Sequence, residues 1–213
     1  MMAQPTRPYR SELRARQAQE TRARIVTSAA RLFASSGYQA TTIVAIAREA
    51  GVSAETVKTT ASKAELLLAA FETTFSGSEA ADSLTETEVG AGLLDLPDDV
   101  FLEAVVRQIS TANARGHALW TVLLGAALSD PVVDTALQGI LEHRRADLAR
   151  LIDELLSRGI ATGVDDRAAA AAAVSFLLSP ESYQQLVAQS GWSEAQYTAW
   201  LRAAVLREIA PGK

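Results

Sequence analysis

Apolar residues recur three and four positions apart along almost the whole chain, the spacing that gathers them on one face of an α-helix. No stretch alternates apolar and polar residues beside a hairpin dipeptide, so no strand is expected. The first helix runs from about Gln17 to Ser35, with Ile25, Ala29, Leu32 and Phe33 on one face and Gly37 as its stop. Thr42 caps a short helix that turns Ile43, Ile46, Ala47 and Ala50 inward, and Gly51 breaks it. Ser53 caps another short helix holding Thr56 and Val57. Ser62 and Glu65 have capping-box spacing ahead of Leu66, Leu67, Leu68, Ala69 and Phe71.

Residues 77–97 are acidic, contain glycine and serine, and are weakly periodic, which predicts a connecting loop. From Asp98 a helix carries Phe101, Ala104, Val105 and Ile109 and is expected to end at Gly116. The next stretch, HALWTVLLGAALS at 117–129, is apolar nearly all round and predicts a separate, central buried helix. Asp130-Pro131 reads as a cap followed by a first-turn proline. The helix it opens reaches about Arg158, roughly 40 Å at 1.5 Å per residue. An alanine-rich helix follows from about Asp165 to Leu178 and is interrupted at Pro180. The last helix starts at Ser193, where Gln196 completes a second capping box. The expected class is all-α with about nine helices: a three-helix N-terminal domain and a larger helical domain.

The stretch GVSAETVKTTASKAELL, 51–67, puts Ser, Thr and Lys where a packed helix would bury apolar groups. A helix-turn-helix has that need, since two short helices cross steeply over a small residue and a turn glycine while the second presents a polar face. Ala47, Gly51 and Val52, with Ile46 and Val57, supply the lock. Ser53, Ala54, Thr56, Lys58 and Thr59 are then the exposed positions, suited to base edges and phosphates in a major groove. Thr42, at a helix start, suits a phosphate. A plain helical hairpin in a bundle has the same short pattern.

Charge sharpens the picture. The net charge is −5, yet residues 1–63 hold ten Lys and Arg against four Asp and Glu, whereas 64–213 hold ten against 21. A basic head on an acidic body lets only the head approach a polyanion. Residues 1–16, with Pro5, Pro8, Arg7, Arg10, Arg14 and Arg16, read as a disordered basic arm.

Residues 20–71 resemble the DNA-binding domain of the TetR family of transcriptional regulators. The resemblance is carried by RARIVTSAARLFASSGYQATTIVAIAREAGVS and by SKAELLLAAF, with matching spacing from Gly37-Tyr38 through Thr41-Thr42 and Ile46-Ala47 to Gly51-Val52-Ser53. It implies a homodimer that binds a palindromic operator in double-stranded DNA, most often as a repressor, and is released by a small molecule held in the larger domain. It also implies a phosphate contact for Lys63. The recognition segment is one residue shorter than the family pattern. The simplest alignment deletes the usual tyrosine and puts Thr60 where an aromatic Phe is usual. The alternative is a helical small-molecule-binding or interaction module whose DNA-binding head is degraded.

The expected organisation is therefore a helix-turn-helix domain at 17–63, a connecting helix at 64–76, the loop, and a ligand-binding and dimerisation domain at 98–213. Phe101, Trp120, Phe176 and Tyr183 are the candidate aromatic lining of a largely apolar effector site. Tyr197, Trp200, Leu201 and Val205, beside the alanine run 168–173, are the candidate dimer interface. Each of these has a plain core role as its alternative.

Other chemistry finds little support. The chain has no cysteine, so it lacks disulfides and thiol chemistry. Its two histidines, His117 and His143, are 26 positions apart and form no metal motif. There is no phosphate-cradling glycine loop or placeable Ser-His-Asp set, and the adjacent Asp98-Asp99 and Asp165-Asp166 read as helix caps. No enzyme, cofactor, metal or membrane role is expected, and a cytoplasmic location is.

Overall fold

The computed structural model describes residues 8–77, 79, 87, 90 and 92–210, with side chains from Leu13 onward. Among these residues every regular element is helical. The N-terminal set is α1 (Pro8–Ala40), α2 (Ile43–Ala50), α3 (Ala54–Thr60) and α4 (Lys63–Ser76). After a 3-10 turn at Leu93–Asp95 come α5 (Asp98–Ala127), α6 (Pro131–Ser157), α7 (Arg167–Leu177), α8 (Pro180–Tyr183) and α9 (Glu194–Ile209). α8 runs directly into a π-helical turn, Gln184–Gln189.

Local capping sets these boundaries. Thr42 accepts from the Ala45 amide and Ser53 from the Thr56 amide, which opens α2 and α3. Ser62 with Glu65, and Ser193 with Gln196, form complete capping boxes at α4 and α9. Asp130 accepts from the amides of Val132 and Val133, with Pro131 in the first turn of α6. Gly51 closes α2 at φ 68°, a left-handed conformation that costs glycine nothing.

Two expectations about these elements change. α1 begins at Pro8, so residues 8–16, read as part of a disordered arm, continue the helix; residues 1–7 of that arm, with Arg7, lie outside the described residues. Pro8 fits a first helical turn, and Glu12, Leu13, Arg14, Ala15 and Arg16 all favour helix. Gly116 does not end a helix: α5 runs straight through it. A Cβ at 116 would lie 2.9 Å from Cδ2 and 3.2 Å from Cβ of Phe75, so this glycine lets α4 approach α5 closely. The loop expected at 77–97 lies mostly outside the described residues; the 3-10 turn falls inside that span.

Two apolar clusters hold the helices together. One joins Ile25, Phe33, Ile46, Val57, Leu66, Leu67 and Phe71 of α1–α4 to Trp120 and Leu123 of α5 and Val133 and Leu137 of α6. The helix-turn-helix thus shares its core with the ends of the two longest body helices. Each fully buried Leu, Ile or Phe there contributes about 1.5–3 kcal/mol. The other cluster packs Phe101, Val105 and Ile109 of α5 and Leu148, Ile152 and Leu155 of α6 against α7, α8 and α9.

Candidate functional site

α3 is the second helix of the helix-turn-helix, and a single buried residue, Val57, anchors it. Ser53, Glu55, Lys58 and Thr59 are exposed, while Ala54, Thr56 and Thr60 are half-buried. Ile46, Ala47 and Ala50 bury the facing side of α2, and the Val52 amide donates to the Ala47 carbonyl across the turn. Val44 of α2 stays 68% exposed on the outer side.

Most hydroxyls of the polar run are engaged within the head. Ser53 Oγ and Thr56 Oγ1 share a hydrogen bond at 2.8 Å. Thr59 donates to the Glu55 and Thr56 carbonyls, and Thr60 donates to the Thr56 carbonyl at 2.7 Å. These back-bonds to the preceding turn give the hydroxyls partners without strengthening the short helix. The end of α3 has a second brace. Arg22 of α1 reaches the Thr60 carbonyl at 3.5 Å while paired with Glu79 at 2.7 Å. Lys58 projects from the exposed face. At the start of α4 the Glu65 carboxylate accepts from the Ser62 amide at 2.7 Å, and that bond, then the Ser62 hydroxyl region, holds its carboxyl below the usual range.

Lys63 lies elsewhere in the head. Its Nζ is 4.3 Å from the centroid of the Tyr38 ring. The Tyr38 hydroxyl donates to Asp130 Oδ2 at 2.6 Å, and beside it Gln39 Nε2 donates to Ser129 Oγ at 3.1 Å. Burial, then the Asp130 bond and charge, push the Tyr38 phenol well above its ordinary value. The Tyr38 bond, the Val132 and Val133 amides and the Lys63 charge outweigh partial burial and hold the Asp130 carboxyl low. The end of α1, the start of α4 and the cap of α6 therefore meet at one corner. The sequence gives no signal for it, because its partners are 92 positions apart.

A cleft of about 540 Å³ opens in the body between the 3-10 turn, α5 and α6. Leu93, Phe101, Val105, Ile109, Leu148 and Leu151 form its apolar walls, and Asp147, Arg150, Asp153 and Glu154 lie at its edge. Arg158 ties its rim: the guanidinium donates to the carbonyls of Leu94 and Leu96, pairs with Glu154 and Asp98, and stacks on Phe101 at 4.2 Å.

Of the four candidate lining aromatics, only Phe101 borders this cleft. Trp120 packs on Phe71, with ring centroids 5.4 Å apart, in the cluster shared with the head. Tyr183 is buried against His117 and Tyr197 and bonds Glu194 at 3.2 Å. Phe176 is 66% exposed on α7. The structure does not bring the four together. Tyr197, Leu201 and Val205 are fully buried in the chain's own core, where the Tyr197 hydroxyl meets Ser182 at 2.8 Å; of the candidate interface residues only Trp200 reaches the surface. α9 is amphipathic, and its bulky stripe faces α5 and α7 of the same chain rather than outward.

No helix among the described residues is long and apolar enough to cross a membrane, and none of their His, Asp and Glu side chains cluster as a metal site would require.

Comparison with known proteins places the head. Residues 25–70 match the family model described as bacterial regulatory proteins, tetR family. Among curated proteins none matches this sequence. Among solved structures, the fold is similar to a Pseudomonas aeruginosa PAO1 protein described as a transcriptional regulator, at TM-score 0.66 and 19% identity over 91% of this chain and 92% of that one. It is also similar to a member of the TetR transcriptional regulator family from Streptomyces coelicolor A3, at TM-score 0.56 and 19% identity over 89% and 90%. At that identity the structural likenesses speak for the fold. Residues 25–70, then, match the tetR family of bacterial regulatory proteins, and the chain as a whole is similar in fold to these two structures.

Proposed function

We propose that this protein is a cytoplasmic, homodimeric DNA-binding regulator, a repressor that leaves a palindromic operator when a small, largely apolar molecule binds its body. One observation carries the reading: α3, capped by Ser53 and anchored by Val57, offers an exposed Ser-Lys-Thr face from a helix-turn-helix that matches the family over residues 25–70. On this reading α3 enters the major groove, Ser53, Ala54, Thr56 and Thr59 meet base edges or backbone, and Thr42, Lys58 and Lys63 meet phosphates. The effector occupies the cleft walled by Phe101 and Leu148. Effector binding favours a state in which two copies of α3 no longer match half-sites about one DNA turn apart. The two copies meet along the outer faces of α7 and α9, where Phe176 and half-exposed Trp200 are the bulky groups.

Sequencing what the purified protein retains from random duplex DNA tests this reading. An enriched palindrome is expected, with binding that weakens steeply as salt rises. Lys58→Ala and Lys63→Ala are expected to weaken binding and flatten the salt dependence. A folded dimer that enriches nothing would favour the second reading, a ligand-binding module with a degraded head. The observation behind that reading is Thr60, whose hydroxyl turns back to its own helix where the family pattern has an aromatic.

A further inference from the structure

Lys63 is the first residue of α4, three positions beyond the end of α3. Its flexible stem allows the ammonium several positions, yet it lies over the Tyr38 ring on the side of the head that faces α6. Two hydrogen bonds pin that corner, Tyr38 to Asp130 and Gln39 to Ser129. Asp130 is fixed independently, because its other oxygen accepts from the amides of Val132 and Val133 at the start of α6. The carboxylate cannot follow the lysine outward without uncapping a 27-residue helix.

We infer that Asp130 is a positioning residue that competes with DNA phosphate for the Lys63 ammonium, with the Tyr38 ring as the seat on which Lys63 is held. The inference rests on the DNA-binding reading above. Lys63 has no direct ion pair with Asp130; it sits on the ring whose hydroxyl Asp130 holds, and it must leave that ring and the nearby carboxylate to reach phosphate. The attraction it gives up there subtracts from DNA affinity. Because Asp130 caps the helix whose far end walls the cleft, the balance depends on where α6 lies.

The test is a double-mutant cycle in the full chain, with Asp130→Asn, Lys63→Gln and both together, read as affinity for a fluorescent random-sequence duplex at low salt. Asparagine caps a helix as well as aspartate: its Oδ1 keeps the bonds from the Val132 and Val133 amides, and its Nδ2 replaces Oδ2 and donates to the Tyr38 oxygen, so the corner stays bonded and loses its charge. Asp130→Asn is expected to tighten duplex binding about two- to fivefold when Lys63 is present. It is expected to change nothing in the Lys63→Gln background. Equal tightening in both backgrounds would mean that only net charge matters and would overturn the proposal, as would no tightening in either. Failure of every form, the unaltered chain included, to bind duplex would overturn the DNA-binding reading itself. In that event DNA-free acetylation of Lys63, followed by mass spectrometry, decides whether Asp130 holds the lysine. Faster modification in Asp130→Asn supports the hold, and an equal rate overturns it.

Discussion

The Tyr38 hydroxyl donates to the Asp130 carboxylate at 2.6 Å and so joins the short turn beyond the Gly37 break in α1 to the cap of α6. Three elements otherwise distant in sequence meet at this point, because Lys63 lies over the same ring. The phenol also stacks on Phe33, with ring centroids 5.8 Å apart, and that links the surface corner to the buried core of the head. Tyr38→Phe keeps the ring, the stack and the seat for Lys63, and removes only the hydroxyl. A hydrogen bond to a charged group at a half-buried site contributes about 1 kcal/mol. A loss of that size in urea unfolding is expected, and no change would show that the corner does not stabilise the fold.

Asp130 also gives the fold an acid dependence of known sign. Its folded-state carboxyl is held below the ordinary value, first by the Tyr38 hydroxyl. Its contribution is therefore complete above the unfolded value, about 4, and is lost as pH falls through the lowered folded value. Urea unfolding of Asp130→Asn at a series of pH values is expected to show a shallower acid loss below about pH 4 than the unaltered chain shows. Parallel curves would remove Asp130 from the acid response.

Ile46 is fully buried between α2 and the rest of the head. Ile46→Ala leaves a cavity and is expected to cost about 2–5 kcal/mol. The head shares its core with Trp120, Leu123 and Val133, so the loss is expected as one cooperative transition rather than as separate melting of residues 17–63. Calorimetry distinguishes a lowered single peak from a split one.

Gly116→Ala sets two effects against each other. Alanine favours a helix interior over glycine by about 1 kcal/mol. Against this, its Cβ would press on Cβ and Cδ2 of Phe75, whose ring already stacks on Phe71 and has little room to retreat. Overpacking costs about 1–3 kcal/mol, so the net effect is a loss. For a chain of this size a net 1 kcal/mol lowers Tm by about 2–4 °C. A rise in Tm would mean that α4 yields easily to α5.

Short-range signals were legible in the sequence wherever a side chain caps its own helix. Thr42, Ser53, Ser62, Asp130 and Ser193 each bond an amide two or three residues ahead, so identity and spacing suffice. Gly116 misled because glycine marks both a helix end and a close helix crossing, and only the position of Phe75 separates the two. The bulky stripe of α9 was legible as a stripe, but the covering chain was not: Tyr197, Leu201 and Val205 are covered by the same chain's helices. Phe101 and Trp120 lie on one helix 19 positions apart and belong to different cores, which composition cannot reveal. The corner at Tyr38 and the knot at Arg158 depend on where helices cross, and no local pattern records that.

The knot at Arg158 closes the rim of the cleft through one side chain. One guanidinium holds the Leu94 and Leu96 carbonyls, the Asp98 and Glu154 carboxylates and the face of Phe101. The turn carrying Leu93 and Leu94 cannot swing away from α6 until these contacts release together. For the effector proposed to occupy this cleft, departure is then expected to follow the lifetime of a single side chain's grip, so two occupants of unequal affinity would depart at similar rates.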